Sequence, residues 1–272
     1  MSATTMTTSL PLDQERPLAM TEALSQRPEM APEELRRAAW TCSVGSAMEY
    51  YDFALYSLAS ALVFGPLFFP SSIPGMGLVG SFATYFIGFA VRQIGGIFFG
   101  RLGDRHGRKK VLLLTVTLMG LSSAAIGLIP SYATIGIAAP LLLVLMRILQ
   151  GFGAGAEQAG AAVMMTESAP KERRGYFAAL PFLGIQMGTV AAGLIYFGML
   201  TGVPNIAETW IWRAPFLGSA FLLVIALYMR LNLKESPAFA KLKEEEEHEE
   251  VMPIREVLTT SWRPITAGLG LR

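Results

Sequence analysis

The chain alternates long apolar runs with short polar or Gly/Pro-rich breaks. A bilayer core about 30 Å thick takes roughly 20 apolar residues to cross as a helix. Six runs reach that length, at 41–69, 78–100, 111–129, 139–166, 177–200 and 211–231. The breaks fall at 70–76, 101–110, 130–138, 167–176 and 201–210. This pattern predicts an all-α polytopic domain over 38–233 with six transmembrane helices in the lipid bilayer. Residues 1–37 are rich in Ser, Thr, Pro and acids and lack an apolar signal core, so they read as a disordered cytosolic tail. Beyond Leu231 the chain turns polar, and the run KEEEEHEE at 243–250 reads as a solvated helix face with His248 exposed. The last apolar stretch, ITAGLGL at 265–271, reads as the start of a truncated seventh helix, so 234–272 is assigned as a cytosolic linker plus that start.

The basic residues orient the spans. Arg16, Arg27, Arg36 and Arg37 precede the first run, five Lys or Arg fill the second break, three fill the fourth, and seven lie from Arg230 onward. The first, third and fifth breaks hold none. Cytosolic loops collect positive charge, so both termini are expected in the cytosol of a multi-pass protein of the plasma (inner) membrane. Trp40, Phe68, Phe69, Trp210 and Trp212 fall where interfacial rings are expected. A chain that is 52% hydrophobic and 16% charged, with 27 glycines in 272 residues, fits a lipid-embedded fold.

A net charge of +1 gives no field to draw a nucleic acid. A single cysteine, Cys42, and two histidines, His106 and His248, leave neither an internal disulfide nor a zinc site. No metal or cofactor is expected. The sequence Gly151-Phe152-Gly153-Ala154-Gly155 lies inside an apolar run with no strand before it, which argues against a nicotinamide turn. There is no phosphate-binding G-x-x-x-x-G-K-[ST], and no nucleophile–base pair suggests an enzyme.

Charged side chains deep in a span cost about 2.5 to 3.5 kcal/mol on insertion scales and usually face a pathway or a partner. Glu49, Asp52, Arg92, Arg147 and Glu157 are such residues. At about 100° per residue, Glu49 and Asp52 lie about 60° apart on one helix face, and Gln150 and Glu157 about 20° apart. Each pair can therefore line one cavity. Arg92 can snorkel, bind Glu157 or touch a substrate, and Tyr85 lies seven residues before it on the same face. Gly96 and Gly100, Gly151 and Gly155, and Gly184 and Gly188 are each four apart, a spacing that lets helices pack closely.

The second break with its flanks reads Gly100-Arg101-Leu102-Gly103-Asp104-Arg105-His106-Gly107-Arg108-Lys109-Lys110. Every defined position of the major facilitator superfamily loop signature G-x-x-x-D-R-x-G-R-R/K is met. Met48-Glu49-Tyr50-Tyr51-Asp52-Phe53, Arg147-Ile148-Leu149-Gln150-Gly151, Ala169-Pro170-Lys171-Glu172-Arg173-Arg174-Gly175, Trp212-Arg213-Ala214-Pro215-Phe216 and Glu235-Ser236-Pro237-Ala238-Phe239 resemble the metabolite:proton symporter branch, known for carriers of proline and betaine, shikimate, 2-oxoglutarate and citrate. Two positions depart from that branch. Gln93 stands where a proline is expected, and Gly155-Ala156-Glu157-Gln158 replaces Gly-Gly-Glu-Trp.

The resemblance implies the N-terminal six-helix half of a major facilitator fold, built as two inverted three-helix repeats. Complete members have twelve spans, with the substrate site between halves. A missing C-terminal six-helix half, or a second membrane chain, is thus an expected partner, and the usual contact of Asp104 would lie on it. The implied function is proton-coupled symport of a small organic metabolite, a carboxylate or a zwitterion. Such coupling needs a carboxylate whose proton affinity changes and a cation to hold it. Asp52 is expected to titrate with Arg147 as counter-charge, since they hold matching places in the first helix of each repeat; Glu49 is the second candidate. Arg92, Tyr85, Gln150 and Glu157 are expected at the substrate cavity, and Gly100, Asp104, Arg105, Gly107 and Arg108 at a conformational gate. The alternatives are a proton-independent sugar-porter-like uniporter and a non-transporting or regulatory half-carrier.

Overall fold

A computed structural model describes residues 31–70 and 73–232. The linker, the acidic run with His248, the apolar stretch at 265–271 and the tail before residue 31 lie outside these described residues.

The first helix, α1 (Pro32–Ala59), begins earlier than the apolar pattern suggests, inside the stretch read as tail. Pro32 sits in its first turn, where a missing N–H costs nothing, and Glu33 and Glu34 favour the positive end of the helix dipole. The span continues through a π-helical turn, Ser60–Phe64, and a short segment, Gly65–Phe68. Pro66 cannot donate in a regular ladder, and the Ser81 hydroxyl donates to the Ser60 carbonyl at 2.6 Å across this widened turn. α2 (Met76–His106) and α3 (Arg108–Leu128) form the next two spans. The fourth span is interrupted: α4 (Ala138–Ala154) and α5 (Glu157–Ser168) meet at Gly155 and Ala156. α6 (Arg174–Gly202) and α7 (Arg213–Leu231) complete the set.

The break read at 101–110 is mostly helix. Arg105 and His106 close the last turn of α2, where positive charge complements the dipole, and only Gly107 separates α2 from α3. Gly107 has φ 95°, a conformation that penalises any side chain.

Among the described residues six helical spans are long and apolar enough to cross a membrane, and they make a multi-pass membrane protein. α1 packs chiefly on α6, α2 on α4, and α3 on α7. Exchanging the first three spans with the last three turns the α1–α6 contact into the α4–α2 contact and leaves α3–α7 unchanged. Three is odd, so the two repeats run in opposite directions across the membrane, and the pairing has the pseudo-two-fold of inverted three-helix repeats.

Both equivalent crossings are backbone-close. A Cβ on Gly184 or Gly188 of α6 would meet the carbonyls of Ser43 and Ala47, and one on Gly151 of α4 would meet the carbonyl of Gly88. Gly155 likewise faces the backbone of Gly96. Gly100 does not share this role, since nothing lies within 4 Å of a Cβ placed there.

One buried cluster gathers Phe64, Phe68, Trp212 and Phe216. The Trp212 ring centroid lies 5.9 Å from Phe64 and 6.1 Å from Phe68, so Trp212 and Phe68 are core residues rather than interfacial anchors. Trp40 and Trp210 face outward as expected.

Candidate functional site

Buried charge falls along α1 in three layers. In the layer furthest from Gly107, Asp52 is fully enclosed. Ser123 of α3 donates to its Oδ2 at 2.6 Å and Ser219 of α7 donates to its Oδ1 at 2.7 Å. Arg147 of α4 does not pair with Asp52 directly. It donates through Nη1 to Gln150 Oε1, and Gln150 Nε2 donates to Ser123 Oγ at 2.5 Å. The direction of this relay is forced. A guanidinium has only donors, so Gln150 presents its oxygen to Arg147 and its amide N–H to Ser123, which commits the single Ser123 proton to Asp52. The expected counter-charge therefore acts through two intervening side chains.

Three rings surround the Arg147 guanidinium: its central carbon lies 4.2 Å from the Tyr56 centroid, 4.5 Å from Phe53 and 4.9 Å from Tyr85. Tyr85 thus belongs to the Arg147 layer, although Arg92 is its neighbour along α2. Arg147 fits beneath α2 because position 88 is glycine: a Cβ there would collide with the Arg147 side chain.

The middle layer joins Glu49 of α1 to Arg92 of α2 as an ion pair. Arg92 Nη2 also donates to Gln158 Oε1 at 3.3 Å, and the Tyr50 hydroxyl donates to the same oxygen at 3.3 Å. The Arg92 guanidinium lies over the Phe53 and Tyr50 rings, 5.3 and 5.8 Å from their centroids. Glu49 and Asp52, on one face by helical spacing, diverge to different partners because α2 meets one edge of that face while α3 and α7 meet the other.

The layer nearest Gly107 corrects the expectation for Glu157. Its partner is Arg230 of α7, which also donates to the Leu112 carbonyl, and Thr115 donates to Glu157 Oε2 at 3.4 Å. Gly45 makes the room, since a Cβ there would strike both Arg230 and Glu157. Gln150 and Glu157 both turn to α3, as their spacing suggests, but seven residues set them about 10 Å apart along the axis, so they join separate layers. Of the residues expected at a gate, Gly100 and the exposed Arg105 lie on α2 and Gly107 forms the turn. The side chains of Asp104 and Arg108 lie outside the described set.

The family profile described as sugar (and other) transporter matches residues 38–260. The chain belongs to this family, within the major facilitator superfamily. It is 41% identical over 224 residues to the shikimate transporter of Escherichia coli (strain K12), an alignment covering 79% of this chain and 50% of that protein. It is 38% identical over 248 residues to the proline/betaine transporter of Salmonella typhimurium, covering 88% and 49%. The chain also superposes on the partially occluded inward-open xylose transporter XylE from E. coli, with a TM-score of 0.65 at 19% identity, covering 78% of this chain and 52% of that one. The chain spans about half the length of the curated relatives it matches.

Sequence reasoning missed Ser123, Ser219, Gly88 and Arg230. Serines are ordinary in apolar spans and carry no helical-face signal of their own. Arg230 sits in the last turn of α7, where a basic residue usually snorkels, yet it is buried.

Proposed function

We propose that this chain forms one half of a membrane carrier that moves a small organic metabolite, a carboxylate or a zwitterion, together with protons. The observation that carries the reading is the oriented relay from Arg147 through Gln150 and Ser123 to Asp52. A proton on Asp52 Oδ2 turns the acceptor at the end of that relay into a donor, so the Ser123 hydroxyl must turn, and with it the oxygen to which Gln150 Nε2 is bonded. The change reaches Arg147, the cation at the far end. The occupancy of a proton is thus converted into the position of a guanidinium on another helix of the bundle. Families that carry shikimate, proline and betaine handle substrates that all bear a carboxylate, which agrees with a cationic site.

In this reading both termini are cytosolic in the plasma membrane, Arg92 and Arg147 contribute to the substrate site, and the segment from Gly100 to Arg108 gates movement against a second six-helix half. Transport, not catalysis, is the activity, and the complete cavity requires that second half. The test uses uptake of labelled shikimate, proline or betaine by cells expressing the chain with a second six-helix half. Accumulation should collapse on adding a protonophore. Asp52→Asn should abolish accumulation against a gradient while substrate exchange continues. Unchanged accumulation in this variant refutes the coupling role of Asp52.

A further inference from the structure

The Glu49–Arg92 layer differs from the Asp52 layer in the way its carboxylate is held. Asp52 receives two hydroxyl hydrogen bonds, whereas neither oxygen of the fully enclosed Glu49 receives a hydrogen bond of good geometry. Its hold is the Arg92 guanidinium. The charged groups around it are Arg92 from α2, Glu157 from α5 and Arg230 from α7. Glu157 and Arg230 already neutralise each other, so Arg92 is the cation that balances Glu49. Arg92 itself reaches the surface: its side chain is 13% exposed against 0% for Glu49, and Tyr50 and Gln158 beside it are half-buried. An anion arriving from outside the bundle can therefore touch Arg92 without touching Glu49.

We infer that Arg92 is a binding site for the carboxylate group of the transported metabolite and that Glu49 is its resident competitor, which yields Arg92 when it takes up a proton. This rests on the carrier reading above and specifies its substrate chemistry at a second layer. The charge balance is simple. With Glu49 ionised, Arg92 is neutralised internally and a second carboxylate would leave one negative charge buried without a partner. With Glu49 protonated, the incoming carboxylate takes its place opposite Arg92 and the layer is again neutral. One proton therefore accompanies each carboxylate that arrives without a cation of its own. Gln158 Oε1 and the two rings hold the guanidinium in position during the exchange, so Arg92 does not follow Glu49 into the bundle.

The test is arginine labelling with phenylglyoxal, read peptide by peptide by mass spectrometry on the full chain in detergent, with exposed Arg105 on the same helix as internal standard. Glu49→Gln should raise Arg92 labelling about tenfold over the wild type. Shikimate, proline and betaine should each suppress it, whereas the methyl esters of shikimate and betaine should not. Equal labelling in wild type and variant, or no suppression by any of the three acids, overturns the inference. If Glu49→Gln fails to fold, shown by labelling of the buried Arg147, the wild type alone decides. Addition of shikimate in weak buffer should take up about one proton per carboxylate bound, and binding without proton uptake overturns the inference. Labelling requires no transport. Failure of proton-driven uptake would count against the carrier reading and not against this site, and unaltered Arg92 labelling would do the reverse.

Discussion

Gly88 makes the room that Arg147 occupies at the relay, and Gly88→Ala measures how tightly Arg147 is held. The new methyl would sit 2.9 Å from the guanidinium carbon and 3.0 Å from Cδ, closer than side-chain carbons normally approach. Arg147 cannot withdraw, because it is fully enclosed and three rings close around its guanidinium. Overpacking of this kind costs about 1 to 3 kcal/mol. Moving Arg147 far enough to relieve it also breaks the charged hydrogen bond to Gln150, worth about 1.5 to 3 kcal/mol. Against this, Ala gains about 1 kcal/mol over Gly in helix propensity. The net loss is about 3 kcal/mol, or about 6 to 12 °C in melting temperature for a domain of this size. The assay is built into the chain: Cys42 is the sole cysteine and is buried, so a thiol-reactive fluorogenic dye reports unfolding. Gly193→Ala on α6 is the control, because nothing lies within 4 Å of the added carbon. It should melt at or above the wild-type temperature. If Gly88→Ala behaves like Gly193→Ala, Arg147 does not lie beneath α2 and the relay loses its anchor.

Two further changes probe the other contacts in the same assay. Arg230→Met leaves Glu157 buried without its cation and should cost about 3 to 5 kcal/mol, while adding Glu157→Met in the same chain should recover most of the loss; additive losses would show that the two do not act as a pair. Ser123→Ala removes one donor from Asp52 and the acceptor from Gln150, so it should destabilise by about 1 to 3 kcal/mol and impair coupled uptake; a variant with wild-type accumulation would show that proton occupancy reaches Arg147 by another route.

The spans and the charges were legible in the sequence, and the partners were not. Apolar run length finds the six spans among the described residues, because lipid thickness imposes a length that the composition must satisfy, but it starts the first of them well after Pro32. It misses the helical extension through Arg101 to His106, since charge at a helix C-terminus ends an apolar run without ending the helix. The glycine spacings correctly signalled close crossings at Gly151, Gly155, Gly184 and Gly188, although spacing cannot identify what lies opposite.

Partner choice is a matter of which helices meet, and that is decided by contacts distant in sequence. A helical wheel puts Glu49 and Asp52 on one face and stops there; the α2 crossing then gives Glu49 to Arg92, and the meeting of α3 with α7 gives Asp52 to two serines. The wheel puts Gln150 and Glu157 on one face, and both do turn to α3, Gln150 to Ser123 and Glu157 to Thr115. What a wheel omits is distance along the axis, about 10 Å for this pair at 1.5 Å per residue. That distance gives Glu157 to Arg230 and leaves Gln150 to Arg147, so each arginine has its own carboxylate or relay. The separation would let a proton on Asp52 or on Glu49 alter one layer without discharging the next, as the proposed coupling requires.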